Sequence, residues 1–208
     1  MGDGRRGDGS TARLTLAEVA AHVAPGMRVG IDGVSAAGKT TFADALVPYI
    51  DAPVVRASLD DFHFPRAIRY ARGEGADSYY EDTFDAGRFR AELLEPFARG
   101  EPIRTRIFDH VHDIPIDEPA IRPPVGAVLV VDGIWLHKPV LRVAFDLTIW
   151  LAIDRQVALE RAIVRDSAWM EGVDAARERY AARYFPGETR YLEEVDPESI
   201  ADLVVDTS

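Results

Sequence analysis

The chain of 208 residues contains no cysteine, and its positive charge is carried almost wholly by arginine: of 24 basic residues, only Lys39 and Lys138 are lysines. Without cysteine there is no disulfide framework, no thiolate nucleophile and no cysteine-ligated zinc, a composition that fits a reducing compartment. Long apolar runs are missing too. A membrane-spanning helix needs roughly 18 such residues, and the opening MGDGRRGDGS has no apolar stretch to follow its arginines as a secretory leader would. The expected location is cytoplasmic, with no membrane partner. Basic charge is in deficit as well. The net charge is -11, and a surface of that sign repels a polyanion, which argues against a nucleic-acid partner.

Hydrophobic residues make up 47% of the chain and charged residues 28%, enough apolar content for a core at a length that suits one α/β domain. Residues 1–10 are expected to be a disordered tail and 11–208 a single domain. The spacing of Leu14, Leu16, Val19, Ala20 and Val23 predicts a short amphipathic helix ended by Pro25-Gly26. Strands are predicted over 27–32, 54–59, 127–131, 147–153 and 201–205. Between them helices are predicted over 39–47, from an Asp85 cap to Arg99, over 139–143 and across 155–184. The stretch FHFPRAIRYARGEGADSYYEDTF reads as a long irregular loop, because Pro and Gly break every period. RIFDHVHDIP reads as a small hairpin. Strands alternating with helices imply a mostly parallel sheet of about five strands in three layers, covered by helices on both faces.

The segment Gly33-Val34-Ser35-Ala36-Ala37-Gly38-Lys39-Thr40 fits G-x-x-x-x-G-K-S/T, with a strand before it and a helix after. In that context the backbone amides of 33–41, Thr41 included, are expected to hold ATP by its phosphates. Lys39 would bridge the β- and γ-phosphates and Thr40 would offer its hydroxyl to Mg²⁺. The alternative is a glycine turn that binds nothing. Two absences narrow the reaction. With no asparagine there is no Asn-Lys-x-Asp segment for guanine, and the one glutamine, Gln156, opens a predicted helix, so nothing is placed to hold a hydrolytic water. An organic hydroxyl is the expected acceptor.

Acids end three strands: Asp32, the pair Asp60-Asp61, and Asp132. Ligands of open parallel sheets bind beyond such ends. Asp132 is expected in the Mg²⁺ shell. Asp60 is the candidate general base and a second metal contact; as turn or cap residues both would be unremarkable. Further on, Arg161 and Arg165 stand at i and i+4 on one helix face. They suit a lid over about 155–185 that screens the transferring phosphoryl group, or else a solvated face paired to Asp154, Glu160 and Asp166.

Together GIDGVSAAGKTT, LDDFH, VVDGIW and the R-x-x-x-R-D segment resemble the uridine kinase and phosphoribulokinase superfamily of P-loop kinases, from about Arg28 to Asp206. The resemblance implies the P-loop kinase fold with a helical lid and an acceptor-site hairpin, ATP with Mg²⁺, and a nucleoside as the leading acceptor. Another hydroxyl metabolite, pantothenate or a sugar phosphate, is the alternative within kinases, with Arg66, Arg69 and Arg72 as a candidate second anion site. A nucleotide-binding regulatory module without turnover is the alternative outside that class. The resemblance makes Asp60 the catalytic aspartate, Asp132 the acid usually present as glutamate, and Arg161 and Arg165 the lid arginines. YYEDTFD is similar to the family's ribose-contacting run, which marks Tyr80 and Asp82, with Glu81 competing. Asp61, Arg104, Phe108, His110 and His112 fall to the acceptor side, although the family's Y-D-x-x-x-H-x-R pattern is altered here: Phe108 lacks the hydroxyl, His112 is displaced by one position and the arginine is absent. A homo-oligomer is left open.

Overall fold

A computed structural model describes residues 14–208; the expected tail over residues 1–10 lies outside the described residues. Five strands form one parallel sheet in the order β2-β5-β1-β6-β7, namely β1 (Arg28–Asp32), β2 (Val54–Ser58), β5 (Val128–Asp132), β6 (Leu147–Ala152) and β7 (Leu203–Asp206). A two-stranded hairpin, β3 (Phe108–Asp109) with β4 (Ile114–Pro115), stands apart. Strand β5 shows why the sheet is covered on both sides. All five of its residues are buried, with Val128 and Val130 in one core cluster and Leu129 and Val131 in the other. That split is the period-two alternation of a strand between two apolar layers.

The first layer includes α1 (Leu16–Ala20), α2 (Lys39–Leu46), α4 (Ala76–Asp82) and α10 (Phe185–Val195), through Val19, Leu46, Tyr79, Tyr80 and Tyr191. On the opposite face Phe89, Leu93, Leu94 and Phe97 line a helix built from α5 (Ala86–Phe89), a π-helical turn over Arg90–Leu94 and α6 (Glu95–Ala98). Leu141 of α7 (Pro139–Arg142) joins them. Helices α8 (Arg155–Asp166) and α9 (Val173–Arg179) make a third, smaller cluster of Ala162, Ile163, Met170, Ala176 and Tyr180, against which Ala36 packs. A π-helical turn, Tyr180–Tyr184, joins α9 to α10, and α11 (Pro197–Ile200) leads to β7. Among the described residues no helix is long and apolar enough to cross a membrane.

The structure corrects the stretch read as an irregular loop. It holds α3 (Arg66–Arg69) and α4, an excursion closed at its neck where Phe64 N donates to Thr83 O (3.0 Å) and Asp85 N to Phe62 O (2.8 Å). Four- and seven-residue helices are too short to display a 3.6-residue period, so the Gly and Pro punctuation dominated the sequence reading. Asp85 caps the next helix as expected, its carboxylate accepting from Arg88 N. Asp85→Ala should lower unfolding free energy by about 1 kcal/mol, the usual worth of an N-cap; equilibrium urea denaturation measures it, and an unchanged midpoint would contradict the assignment.

Candidate active site

The sheet register brings the three strand-end acids to one edge: Ile31 lies opposite Asp132, and Ser58 opposite Asp132 on its other side. The loop from Gly33 leaves the end of β1, which lies between β5 and β6. Ala36 and Gly38 both adopt left-handed backbone (φ 58° and 87°), which turns successive amides toward one concavity. Helix α2 then starts at Lys39 without a side-chain cap. The amides of Lys39, Thr40 and Thr41 therefore have no intrahelical acceptor and, with the helix dipole, form an anion cradle. Lys39 Nζ donates to the carbonyls of Gly33 and Val34, both at 2.9 Å. Burial lowers its pKa, while the carboxylates of Asp32, Asp60, Glu188 and Asp132 oppose that shift and favour the charged form.

Thr40 Oγ1 donates to Asp132 Oδ2 at 2.7 Å. The other oxygen of Asp132 accepts from Arg56 Nη2 at 2.9 Å, and Arg56 continues to Asp44 (3.0 Å). This donor set fits Mg²⁺ in one particular way. Among the described residues no cluster of three or more His, Asp or Glu side chains could cage a metal, whereas a hydroxyl oxygen oriented by a carboxylate suits an ion that keeps waters and takes its other ligands from phosphates. Thr40 would contact it, and Asp132 would fix Thr40.

Across the cradle, Asp60 sits in a 3₁₀ turn, Leu59–Phe62, with its amide donating to Ser58 Oγ at 3.3 Å and its side chain exposed. Burial raises the pKa of neighbouring Asp61, against the pull of Arg106 3.8 Å away. His63 Nδ1 bonds to Asp60 O at 2.7 Å, and its ring lies between Phe84 and His110, both centroids 4.6 Å away, with His110 stacked at 18°. Arg69, 7% exposed, reaches Asp113 at 3.4 Å and leaves its Nε without a partner.

Other residues expected on the acceptor side are engaged elsewhere. Asp82 is held by Arg72 through two 2.8 Å bonds, and Glu81 by Arg190 at 2.7 Å. Tyr80 faces Lys138, whose Nζ lies 3.4 Å from the ring centroid, and Arg190 at 4.4 Å. Phe108 keeps its aromatic plane inside the second core cluster, because the first hairpin strand anchors the hairpin to the sheet. Arg104 pairs with Asp117 (3.3 Å) and Glu92 (3.7 Å). His112 is exposed and folds back on Asp109 at 2.7 Å; bonds from its ring and amide lower the Asp109 pKa to about 2. The two arginines expected in a lid differ. Arg161 is exposed and has no ion pair among the described residues, whereas Arg165 binds Asp166 at 2.7 and 2.9 Å.

Sequence reasoning missed Arg56, His63 and Glu188. Glu188 is 6% exposed and its Oε1 accepts the Ser35 amide at 3.0 Å. Its spacing from Tyr191, Leu192 and Val195, at i+3, i+4 and i+7, was the available signal: an acid on a core-facing stripe. Asp32 proves wholly buried, accepting from Gly33 N (2.7 Å), from His137 N and Nδ1 (both 2.9 Å) and from the Tyr191 hydroxyl.

A phosphate cradle, a helix-borne lysine and a threonine-aspartate pair at the carboxyl edge of a parallel sheet define a P-loop nucleotide-binding fold. Within that class, the chain belongs to the phosphoribulokinase/uridine kinase family, whose model matches residues 28–196. It is 23% identical over 184 residues to a uridine kinase of Staphylococcus aureus (strain JH9), spanning 85% of this chain and 86% of that one. Among solved structures it superimposes on a protein described as a possible uridine kinase from Bacillus stearothermophilus with a TM-score of 0.72 at 23% identity, covering 92% and 95% of the two chains. It matches a protein described as a fructose transport system kinase from Silicibacter sp. TM1040 with a TM-score of 0.72 at 22% identity, covering 92% and 98%.

Burial, with His110 adding to it, drives the His63 pKa from 6.5 down to about 3. The unfolded chain therefore takes up a proton that the folded chain refuses, so this contribution to stability is complete above pH 6.5 and is lost as pH falls from there toward about 3. His63→Phe should flatten that acid limb; denaturation midpoints at pH 7.5 and 5.0 check it, and an unchanged difference between them would refute it.

Proposed function

We propose that the protein transfers the γ-phosphoryl group of ATP, with Mg²⁺, to a hydroxyl of a small metabolite, with a nucleoside as the leading acceptor. The observation that carries this reading is the Thr40–Asp132 bond beside the phosphate loop that Lys39 spans, with the Asp60 carboxylate near enough to favour the charged form of Lys39. A transferase needs a base near the phosphates, and the exposed Asp60 carboxylate is available for that role. Lys39 would leave the carbonyls of Gly33 and Val34 for the β- and γ-phosphate oxygens, and the amides of 38–41 would hold the phosphate chain. Asp60 would take the proton from the attacking hydroxyl as the new P–O bond forms and the bond to the ADP oxygen breaks. Mg²⁺ beside Thr40 would offset charge on the phosphate oxygens.

In this reading the helices α8 and α9 are a lid. Arg161, free of ion pairs among the described residues, would screen the transferring group, and Arg165, bound to Asp166, would orient the helix. Support for a nucleoside comes from the uridine kinase relatives. A second reading, an acceptor carrying a carboxylate or phosphate, is favoured by Arg69, whose buried Nε lacks a partner beside His63. A sugar phosphate or pantothenate would meet that requirement.

A panel of nucleosides, sugars, sugar phosphates and pantothenate, scored for phosphorylated product, separates the two readings. ATP binding without product across the panel would leave a regulatory module instead. Asp60→Asn should abolish transfer by about three orders of magnitude or more while leaving ATP affinity unchanged, since it removes a base and no phosphate contact. Lys39→Ala should weaken both.

A further inference from the structure

Helix α10 grips the phosphate loop at two points one turn apart. Tyr191 donates to Asp32, whose Oδ1 accepts from Gly33 N (2.7 Å), and Glu188 Oε1 accepts from Ser35 N (3.0 Å). The Ser35 side chain also lies close enough to Glu188 and to the Tyr79 hydroxyl to favour the ionised form of each. The approach of α10 depends on Gly187, where a Cβ would stand 2.7 Å from Tyr79 Cδ1.

A buried carboxylate is an odd choice for this place. It adds negative charge beside a cradle for polyanions, and burial raises its pKa, with Ser35 and, more weakly, Lys39 and Arg155 only partly offsetting that. An apolar side chain would pack there without the desolvation cost. What an apolar side chain cannot do is hold the Ser35 amide. The next residue, Ala36, has φ 58°, a conformation unfavourable for a non-glycine residue and one that persists only when its surroundings enforce it. Ala36 also packs against the small core of α8 and α9, and α9 runs through the π-helical turn into α10.

We propose that Glu188 is a positioning residue for the phosphate donor: by bonding the Ser35 amide it fixes the left-handed turn at Ala36 and makes the shape of the phosphate loop depend on the seating of the helices that follow β6. The proposal rests on the nucleotide-binding reading above. It assigns no contact between Glu188 and the nucleotide.

Reach and charge separate in two conservative variants. Glu188→Gln keeps an oxygen at the same distance and loses the charge; Glu188→Asp keeps the charge and falls one methylene short of Ser35. Calorimetric titration of the full chain with MgATP needs no knowledge of the acceptor. Glu188→Gln should bind within about threefold of the wild type or tighter, and Glu188→Asp about tenfold more weakly, the worth of one hydrogen bond at a buried donor. Circular dichroism of both variants without nucleotide verifies that they are folded, and a merely structural role would move their melting temperatures and leave this order of affinities absent. Wild-type affinity in Glu188→Asp, or equal weakening in both variants, would overturn the proposal. Failure of the wild type itself to bind ATP, with Lys39→Ala indistinguishable from it, would overturn the nucleotide reading instead.

Discussion

The buried carboxylate of Asp32 collects donors from three directions: the amide that opens the phosphate loop, the backbone and ring of His137 beyond β5, and the Tyr191 hydroxyl of α10. A charge with no exposure costs several kcal/mol unless it is fully bonded, so these segments are obliged to meet at the end of the central strand. The sheet supplies the position and the carboxylate supplies the obligation. Everything on the phosphate side follows from that meeting point: the cradle hangs from Gly33, Lys39 starts the next helix, and Asp132 is one strand away, within reach of Thr40.

The phosphate side is also where the sequence was most legible. A motif with fixed spacing between a strand and a helix constrains backbone and chemistry together, and VLVVDG announces a central strand with its acid at the useful end. Legibility falls where a role depends on tertiary partners. Tyr80 and Asp82 occupy a segment similar to a ribose-contacting run, yet Lys138 and Arg72 engage them, and both of those partners are distant from the motif in sequence or outside it. Arg56 looked like an ordinary strand residue until β2 paired with β5 and placed its guanidinium on Asp132. His63 was hidden in plain view, two residues after the acids that drew attention, because nothing local predicts that Phe84 and His110 close around its ring.

The segments expected to face an acceptor are short pieces: a 3₁₀ turn, two small helices and a two-stranded hairpin, tied by Asp113 accepting from Arg66 N (2.8 Å) and by the backbone bond between Ile107 N and Asp61 O (3.0 Å). Such pieces lack the long periodic stripes that fix a core helix, so their geometry can be re-specified by few substitutions while the sheet beneath stays as it is.

The π-helical turn at Tyr180–Tyr184 gives the last long helix a change of phase. An ideal helix presents one stripe along its whole length; one extra residue in a turn rotates everything after it by about a quarter of a revolution. Ala176 before the turn and Tyr180 at its start belong to the small cluster under α8, and beyond it Tyr191, Leu192 and Val195 face the main sheet. A single rod thus serves two cores that lie in different directions, much as a crankshaft carries two throws on one axle.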